Sequence, residues 1–223
     1  MISIIIPTLN ESAGIGALLD DLRVARDDGH QIIIADGGSA DETLALAAAR
    51  VDDVVSAPKG RARQLNEGAR RARGDILWFL HADSRVPATA CAEILRSITT
   101  KRCWGRFNVR LSGSHWLFRL IEHLMNLRSC FTGIATGDQG LFVTRTAFDT
   151  VGGVPDIPLM EDIALSKALR RLSRPVCLRT RLTTSSRRWE QKGIIRTILL
   201  MWRLRLAYAL GADPARLAKA YDA

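Results

Sequence analysis

Gln31-Ile32-Ile33-Ile34-Ala35-Asp36-Gly37-Gly38-Ser39-Ala40-Asp41-Glu42-Thr43 decides the fold of this chain. Its first five residues are an Ile-rich run, the mark of a strand buried on both faces. The run stops at a carboxylate and two glycines, which permit a tight turn and close backbone approach. Ser39 or Asp41 can then cap a following helix. A plain strand–turn–helix junction accounts for all of this except Asp36, which a turn does not require. A carboxylate at a strand end can accept hydrogen bonds from a nucleoside. Placed in a turn rather than in the core, Asp36 is expected to serve binding, and its loss to change the fold little.

The same rhythm extends outward in both directions. Residues 2–6 are a second short β-branched run ending at Pro7. A helix pattern covers about residues 13–27, with Leu18, Leu19 and Leu22 on one side and Gly29 at its end. An Ala-rich helix is expected over 41–50, a short strand within 51–56, and a helix over 61–73 stopped by Gly74. A strand over 76–80 and a helix from Pro87 to about residue 97 come after it. Strand and helix alternating in this way mean β-α-β units and an α/β fold with a mostly parallel sheet. Such sheets bind ligands at the carboxyl ends of their strands. Three strand ends carry polar residues and belong on one edge: Pro7-Thr8-Leu9-Asn10-Glu11, Asp36-Gly37, and His81-Ala82-Asp83.

The second half is less regular. A strand is expected over 104–111, an amphipathic helix over 114–128 with Leu117, Leu120, Ile121, Leu124 and Leu127 at helical spacing, and a strand over 140–144. A helix over 161–172 and a strand over 175–178 come next, then a long basic helix from about residue 193 and a short one after Pro214. No linker or repeat is evident. The expected organisation is a catalytic region over residues 1–185, with basic amphipathic helices over 186–223 packed on it, on a partner subunit or on a membrane surface.

The chain has 223 residues, a formal net charge of +9 and only five Lys among its 32 basic residues. Arg pairs with phosphate through a planar fork. Residues 187–223 hold eight basic and three acidic residues, a net of +5. This suits an anionic partner: phosphates, acidic lipid head groups or nucleic acid. Nucleic acid is disfavoured, because aromatics are sparse (6%) and not interleaved with the basic residues. The apolar stretch at 194–210 contains Arg196, Arg203 and Arg205, so it does not read as a membrane span. With Trp202 beside those arginines it reads as an interfacial helix, a helix packed on its own domain, or a homodimer contact. The opening run lacks a basic leader and reads as a strand rather than a signal peptide. Cys91, Cys103, Cys130 and Cys177 lack metal-ligand spacing and are expected as reduced thiols, mostly buried. Together these features point to a cytoplasmic protein, with the inner face of a membrane as a further station.

Three more clusters carry possible chemistry. His81 and Asp83, two apart after a strand, can face one divalent cation; Asp83 could equally cap the next helix. Glu161 and Asp162, at a helix start, could be a general base or only charges that favour the helix dipole. Lys59-Gly60-Arg61-Ala62-Arg63 opens a helix suited to a diphosphate, or is a solvated basic face.

Taken in order, Pro-Thr-Leu-Asn-Glu, Asp-Gly-Gly-Ser-x-Asp-x-Thr, Asn66 in a helix, x-x-Asp after a strand, and Glu-Asp, the chain resembles family-2 glycosyltransferases of GT-A fold over most of its length. The resemblance implies a nucleotide-diphosphate sugar donor, a divalent metal (Mn or Mg) and an acceptor it does not name. Pro7, Thr8, Asn10 and Glu11 would line the nucleoside pocket, with Asp36 and Gly37 at the base. Arg61 and Arg63 would lie near the diphosphate. Asp83 matches the last acid of the family's Asp-x-Asp metal motif, and His81 replaces the first. Asp162 matches the general base of inverting members, beside Glu161. Arg187-Arg188-Trp189 resembles an Arg-Trp element that some members place over the diphosphate. The chain is also similar to a small subgroup with His-Ala-Asp at this point, linked to arsenosugar biosynthesis. Two other readings are a nucleotidyltransferase, which usually has a Gly-rich basic loop after its first strand, and a non-catalytic protein binding nucleotides or a membrane surface.

Overall fold

The isoleucine runs form the centre of a seven-stranded sheet in the computed structural model, which describes residues 1–222. The strands are β1 (Ile2–Thr8), β2 (Gln31–Asp36), β3 (Asp53–Ser56), β4 (Ile76–Phe79), β5 (Trp104–Leu111), β6 (Phe142–Thr144) and β7 (Val176–Thr184). Their order across the sheet is β3-β2-β1-β4-β6-β5-β7. β1, β2, β3 and β4 pair in parallel, as do β5 and β7. β6 runs antiparallel to both of its neighbours. Reversal carries a consequence for the site: the start of β6 lies at the edge where the parallel strands end.

Among the described residues, eleven helices cover the sheet or extend from it: α1 (Ser12–Asp21), α2 (Arg23–Asp27), α3 (Thr43–Ala47), α4 (Arg61–Arg71), α5 (Ala90–Ser97), α6 (Trp116–Thr132), α7 (Arg145–Thr150), α8 (Glu161–Leu169), α9 (Arg187–Lys192), α10 (Ile194–Ala209) and α11 (Pro214–Asp222). Alternate residues of a strand point to opposite faces. Ile2, Ile4 and Ile6 therefore pack with Leu18 and Leu22 on one side. Ile5, Ile33, Leu77 and Phe79 pack with Leu65 of α4 and Leu165 of α8 on the other. α4 lies close against β1 because residue 68 is Gly: a Cβ there would stand 2.4 Å from a methyl of Ile5.

Several boundaries differ from the sequence reading. β7 is nine residues long, well beyond the expected 175–178. It is an edge strand whose middle is Arg179-Thr180-Arg181, so no buried run advertised it. The expected helix over 41–50 shrinks to Thr43–Ala47, and α7 and α9 were not anticipated. The expectation of four reduced cysteines is corrected. Cys130 at the end of α6 and Cys177 in β7 are joined as a disulfide, with Cα atoms 5.8 Å apart across a sequence separation of 47. Cys91 and Cys103 are free. Spacing along the chain does not reveal a pair that the sheet brings together.

Candidate active site

The site grows from the ends of β1 and β2. Thr8, the last residue of β1, pairs in register with Asp36, the last of β2. Asp36 is 4% exposed and belongs to the strand, which corrects its placement in a turn apart from the core. One carboxylate oxygen accepts from Thr8 Oγ1 (2.9 Å) and Ser39 Oγ (2.5 Å). The other accepts from the backbone N–H groups of Gly38 and Ser39, both at 2.8 Å. Burial pushes this carboxyl up, but the bonds from Ser39, Gly38 and Thr8 outweigh it and hold it below the usual carboxylate range. Asp36 thus organises the loop. Asp36→Asn should cost about 1.5–3 kcal/mol at neutral pH, the worth of hydrogen bonds to a charged acceptor. A group with a depressed folded pKa contributes its stability above its unfolded pKa, roughly 3.9. The gap between wild type and variant should therefore close as pH falls through the lower, folded value. Urea melts at neutral and acid pH would show it; equal stability at neutral pH would refute it.

The two loops are laced together. Asn10 has a left-handed backbone (φ 56°), which Asn tolerates. Its side-chain oxygen accepts from Ala40 N–H at 2.9 Å, and its own N–H donates to Ser39 Oγ at 2.9 Å. Glu11 N–H donates to Thr43 Oγ1 (2.8 Å), and Asp41 accepts from the N–H of Ser12 and of Thr43. From the other side, Gln64 of α4 donates to the carbonyls of Thr8 (2.7 Å) and Ala35 (2.9 Å) and packs against Gly37. Donors and acceptors on both strand ends are thereby fixed in one rigid rim.

Beside this rim is an open cleft lined by Glu11, Gly14, Asp83, Arg85, Ser112, Thr184 and Arg187, among others. Glu11 and Asp83 present two carboxylates to it. Burial first, then repulsion by Asp83, push the Glu11 carboxyl up, and Arg187 and His81 oppose this. Arg188 and Trp189 turn elsewhere. The Arg188 guanidinium stacks 3.5 Å over the Tyr221 ring and donates to the Tyr221 carbonyl. Trp189 packs against Leu111, Phe118 and Ile121.

A second group gathers around the start of β6. His81 Nδ1 lies 3.3 Å from an oxygen of Asp138. His81 Nε2 is buried without a hydrogen-bond partner, against Gly137, where a Cβ would stand 2.4 Å away. Gly137 N–H donates to Asp162 Oδ2 at 2.9 Å. Pro7, Arg61, His81, Gly137, Glu161 and Asp162 all border one small cavity. Burial raises the Asp138 carboxyl, but His81, Arg61 and Arg205 outweigh it and hold it low. Glu161 is 3% exposed. Its carboxyl is pushed up by burial and by Asp162, against the pull of Arg61, whose Nη1 is 3.2 Å away. Met160, just before this pair, holds φ 69°. A non-glycine residue in that region is strained, and the strain sits at the start of α8.

Arg61 and Arg63 face the loop that leads to α8. Arg63 Nε lies 3.0 Å from both oxygens of Asp156. Asn66 exchanges two hydrogen bonds with the backbone of Val154, at 2.7 and 2.9 Å. Helix α4 thus links the β1–β2 rim to the loop carrying Glu161 and Asp162.

A rim made from parallel strand ends, a cleft with two carboxylates and an acid pair at a helix start can seat a phosphorylated ligand beside a base. The sequence model of glycosyl transferase family 2 matches residues 3–148. The chain belongs to glycosyl transferase family 2. A PGL/p-HBAD biosynthesis glycosyltransferase from Mycobacterium bovis is 30% identical over 166 residues, covering 68% of this chain and 62% of its own length. The chain therefore spans under two thirds of that relative's length. The chain superposes on the mannosyltransferase PcManGT from Pyrobaculum calidifontis in complex with GDP-Man and Mn2+, with a TM-score of 0.68 at 18% identity over 99% of this chain and 68% of the other. It also matches glucosyl-3-phosphoglycerate synthase from Mycobacterium tuberculosis in complex with Mn2+, UDP and glucosyl-3-phosphoglycerate, with a TM-score of 0.60 at 19% identity over 82% and 70% of the two chains. These likenesses establish the GT-A architecture of the chain. The family match ends before Glu161, so roles for the acid pair rest on geometry.

Asp138 and Gly137 were missed in the sequence. A parallel strand announces its site residues at its C-terminal end, whereas these two precede β6, which is reversed. Thr136-Gly137-Asp138-Gln139-Gly140, directly before an apolar run, was the available signal.

Proposed function

We propose that this enzyme transfers a sugar from a nucleotide-diphosphate sugar to an acceptor hydroxyl by a single displacement with inversion, Asp162 acting as base. The observation that carries the reading is the fixed position of Asp162. Its carboxylate is held by Gly137 N–H at the edge where β1, β2 and β4 end. In the step, the acceptor oxygen forms a bond to the anomeric carbon. The bond from that carbon to the phosphate oxygen breaks, and its electron pair leaves with the nucleoside diphosphate. The acceptor proton passes to Asp162. Glu161, buried and paired with Arg61, positions the head of α8. Asn10, Glu11 and the Asp36 loop form the nucleoside side of the cleft, and Arg187 faces the departing diphosphate.

A divalent metal fits the cleft. Among the described residues no three His, Cys, Asp or Glu side chains are grouped to hold an ion by themselves. Mg²⁺ and Mn²⁺ commonly take one or two carboxylates and complete their sphere with substrate phosphate and water. Asp83, with Glu11 across the cleft, supplies that set, while His81 pairs with Asp138. When bound, the ion would neutralise charge on the leaving diphosphate.

A thermal-shift panel of nucleoside diphosphates and sugar nucleotides, with and without Mn²⁺, tests this reading. A ligand at about 100 times its Kd should add roughly 2.7 kcal/mol of stability. One sugar nucleotide should raise the melting temperature more when Mn²⁺ is present. No shift with any of them would overturn the assignment.

A further inference from the structure

The outer face of α6 carries Trp116, Leu120, Leu124, Leu127 and Phe131, each between 49% and 91% exposed. The outer face of α10 carries Ile195, Leu199, Trp202 and Leu206, each between 60% and 68% exposed. Both sets recur every three or four residues, the spacing of one helical stripe. Neither stripe is needed for the core. α6 already buries Phe118 and Ile121, and α10 already buries Leu204. Ile194 and Ile198 of α10 pack against the cluster that Phe118 and Ile121 of α6 belong to, so the two helices form one platform. Monomeric soluble proteins rarely leave two such apolar stripes uncovered.

The charges on this platform select its partner. Arg196 and Arg203 are exposed beside the α10 stripe, and α10 contains no acidic residue. The one acid of α6, Glu122, is buried, accepting from Leu111 N–H (2.7 Å) and paired with Arg119. A second copy of the chain, meeting this face with its own, would set Arg196 and Arg203 near like charges with no exposed acid from either helix to meet them. A surface of anionic head groups over acyl chains satisfies both the arginines and the apolar stripes, and tryptophans favour that boundary. Among the described residues no helix is long and apolar enough to cross a membrane.

We propose that the outer faces of α6 and α10 dock the enzyme on an anionic lipid bilayer, lying in its interface. The inner face of α10 meets the active site: Leu204 packs in one cluster with Met160 and Ile163, which flank Glu161 and Asp162. Docking therefore brings the catalytic carboxylate within about one helix diameter, roughly 10 Å, of the lipid surface.

Co-sedimentation with vesicles of phosphatidylcholine, with and without phosphatidylglycerol, tests docking without any sugar nucleotide, so its outcome is separate from the donor reading. The wild-type chain should pellet with the anionic vesicles, and the bound fraction should fall as salt rises. Leu199→Glu with Leu206→Glu should weaken binding by about tenfold or more, since each loses the burial of a leucine. Both positions are exposed, so circular dichroism and melting should not change; Leu124→Gln on α6 provides an independent variant. Arg196→Glu with Arg203→Glu should remove most of the salt dependence. Failure of the wild type to bind anionic vesicles, or binding indifferent to these substitutions, would overturn the proposal. So would light scattering that shows a dimer which Leu199→Glu with Leu206→Glu turns into a monomer.

Discussion

Asp162→Asn should lower sugar transfer by about 10²–10⁴-fold, the usual worth of general-base catalysis. Asn nearly matches Asp in shape and its oxygen can accept from Gly137 N–H, but its NH2 group then gives up the bond from Ile163 N–H to the other carboxylate oxygen, so the head of α8 should keep its place at a small cost in stability. It cannot take a proton at neutral pH. Donor and metal binding should be almost unchanged, and slow hydrolysis of the donor by water should persist. Glu161→Gln should affect the chemical step less, because Glu161 is turned into the protein against Arg61; its signature is reduced stability. Single-turnover transfer with donor in excess separates these effects. Transfer by Asp162→Asn at the wild-type rate would leave the pair as structural charges at a helix start.

The second large effect is expected at Asp83. Asp83→Asn removes one of two carboxylates facing the cleft, and with it, on the metal reading proposed above, the anchor for a cation on the diphosphate. Charge stabilisation by a metal is worth several kcal/mol, so transfer should fall by at least about 10²-fold. The Mn²⁺-dependent part of sugar-nucleotide binding should vanish in calorimetric titration, while the fold stays intact. His81→Ala should act differently. It removes the partner of Asp138 and should let that carboxyl rise towards ordinary values. Retained Mn²⁺ dependence in Asp83→Asn would show that the ion is held elsewhere.

The edge of the sheet where the cleft lies was largely legible in the sequence. Buried parallel strands are continuous apolar runs, and the polar residues after them must gather at one edge. Pro7, Asp36 and Asp83 stand out on that ground. What the sequence hid was pairing. Asp36 looked free for a ligand, yet all four of its contacts are within the protein. Arg61 and Arg63 looked ready for phosphate, yet they hold Glu161 and Asp156. Such partners lie about a hundred residues away, and no local pattern marks them. The stripe of leucines on α6 was visible as a periodicity, but periodicity does not say which apolar residues the core leaves out.

The ties from α4 to the α8 loop also limit how this protein can be recombined. The β1–β2 rim is encoded early in the chain, and Glu161 and Asp162, with the helices behind them, are encoded late. A chimera joined between them would inherit Arg61, Arg63 and Asn66 from one parent and their partners from the other. Its grafted half would have to offer a carbonyl and an N–H where Val154 stands, and carboxylates where Asp156 and Glu161 stand. Without them the loop before α8 would lose its ties to α4. Acceptor preference in hybrids would then be hard to read apart from lost alignment, because one helix serves as the splint for both halves.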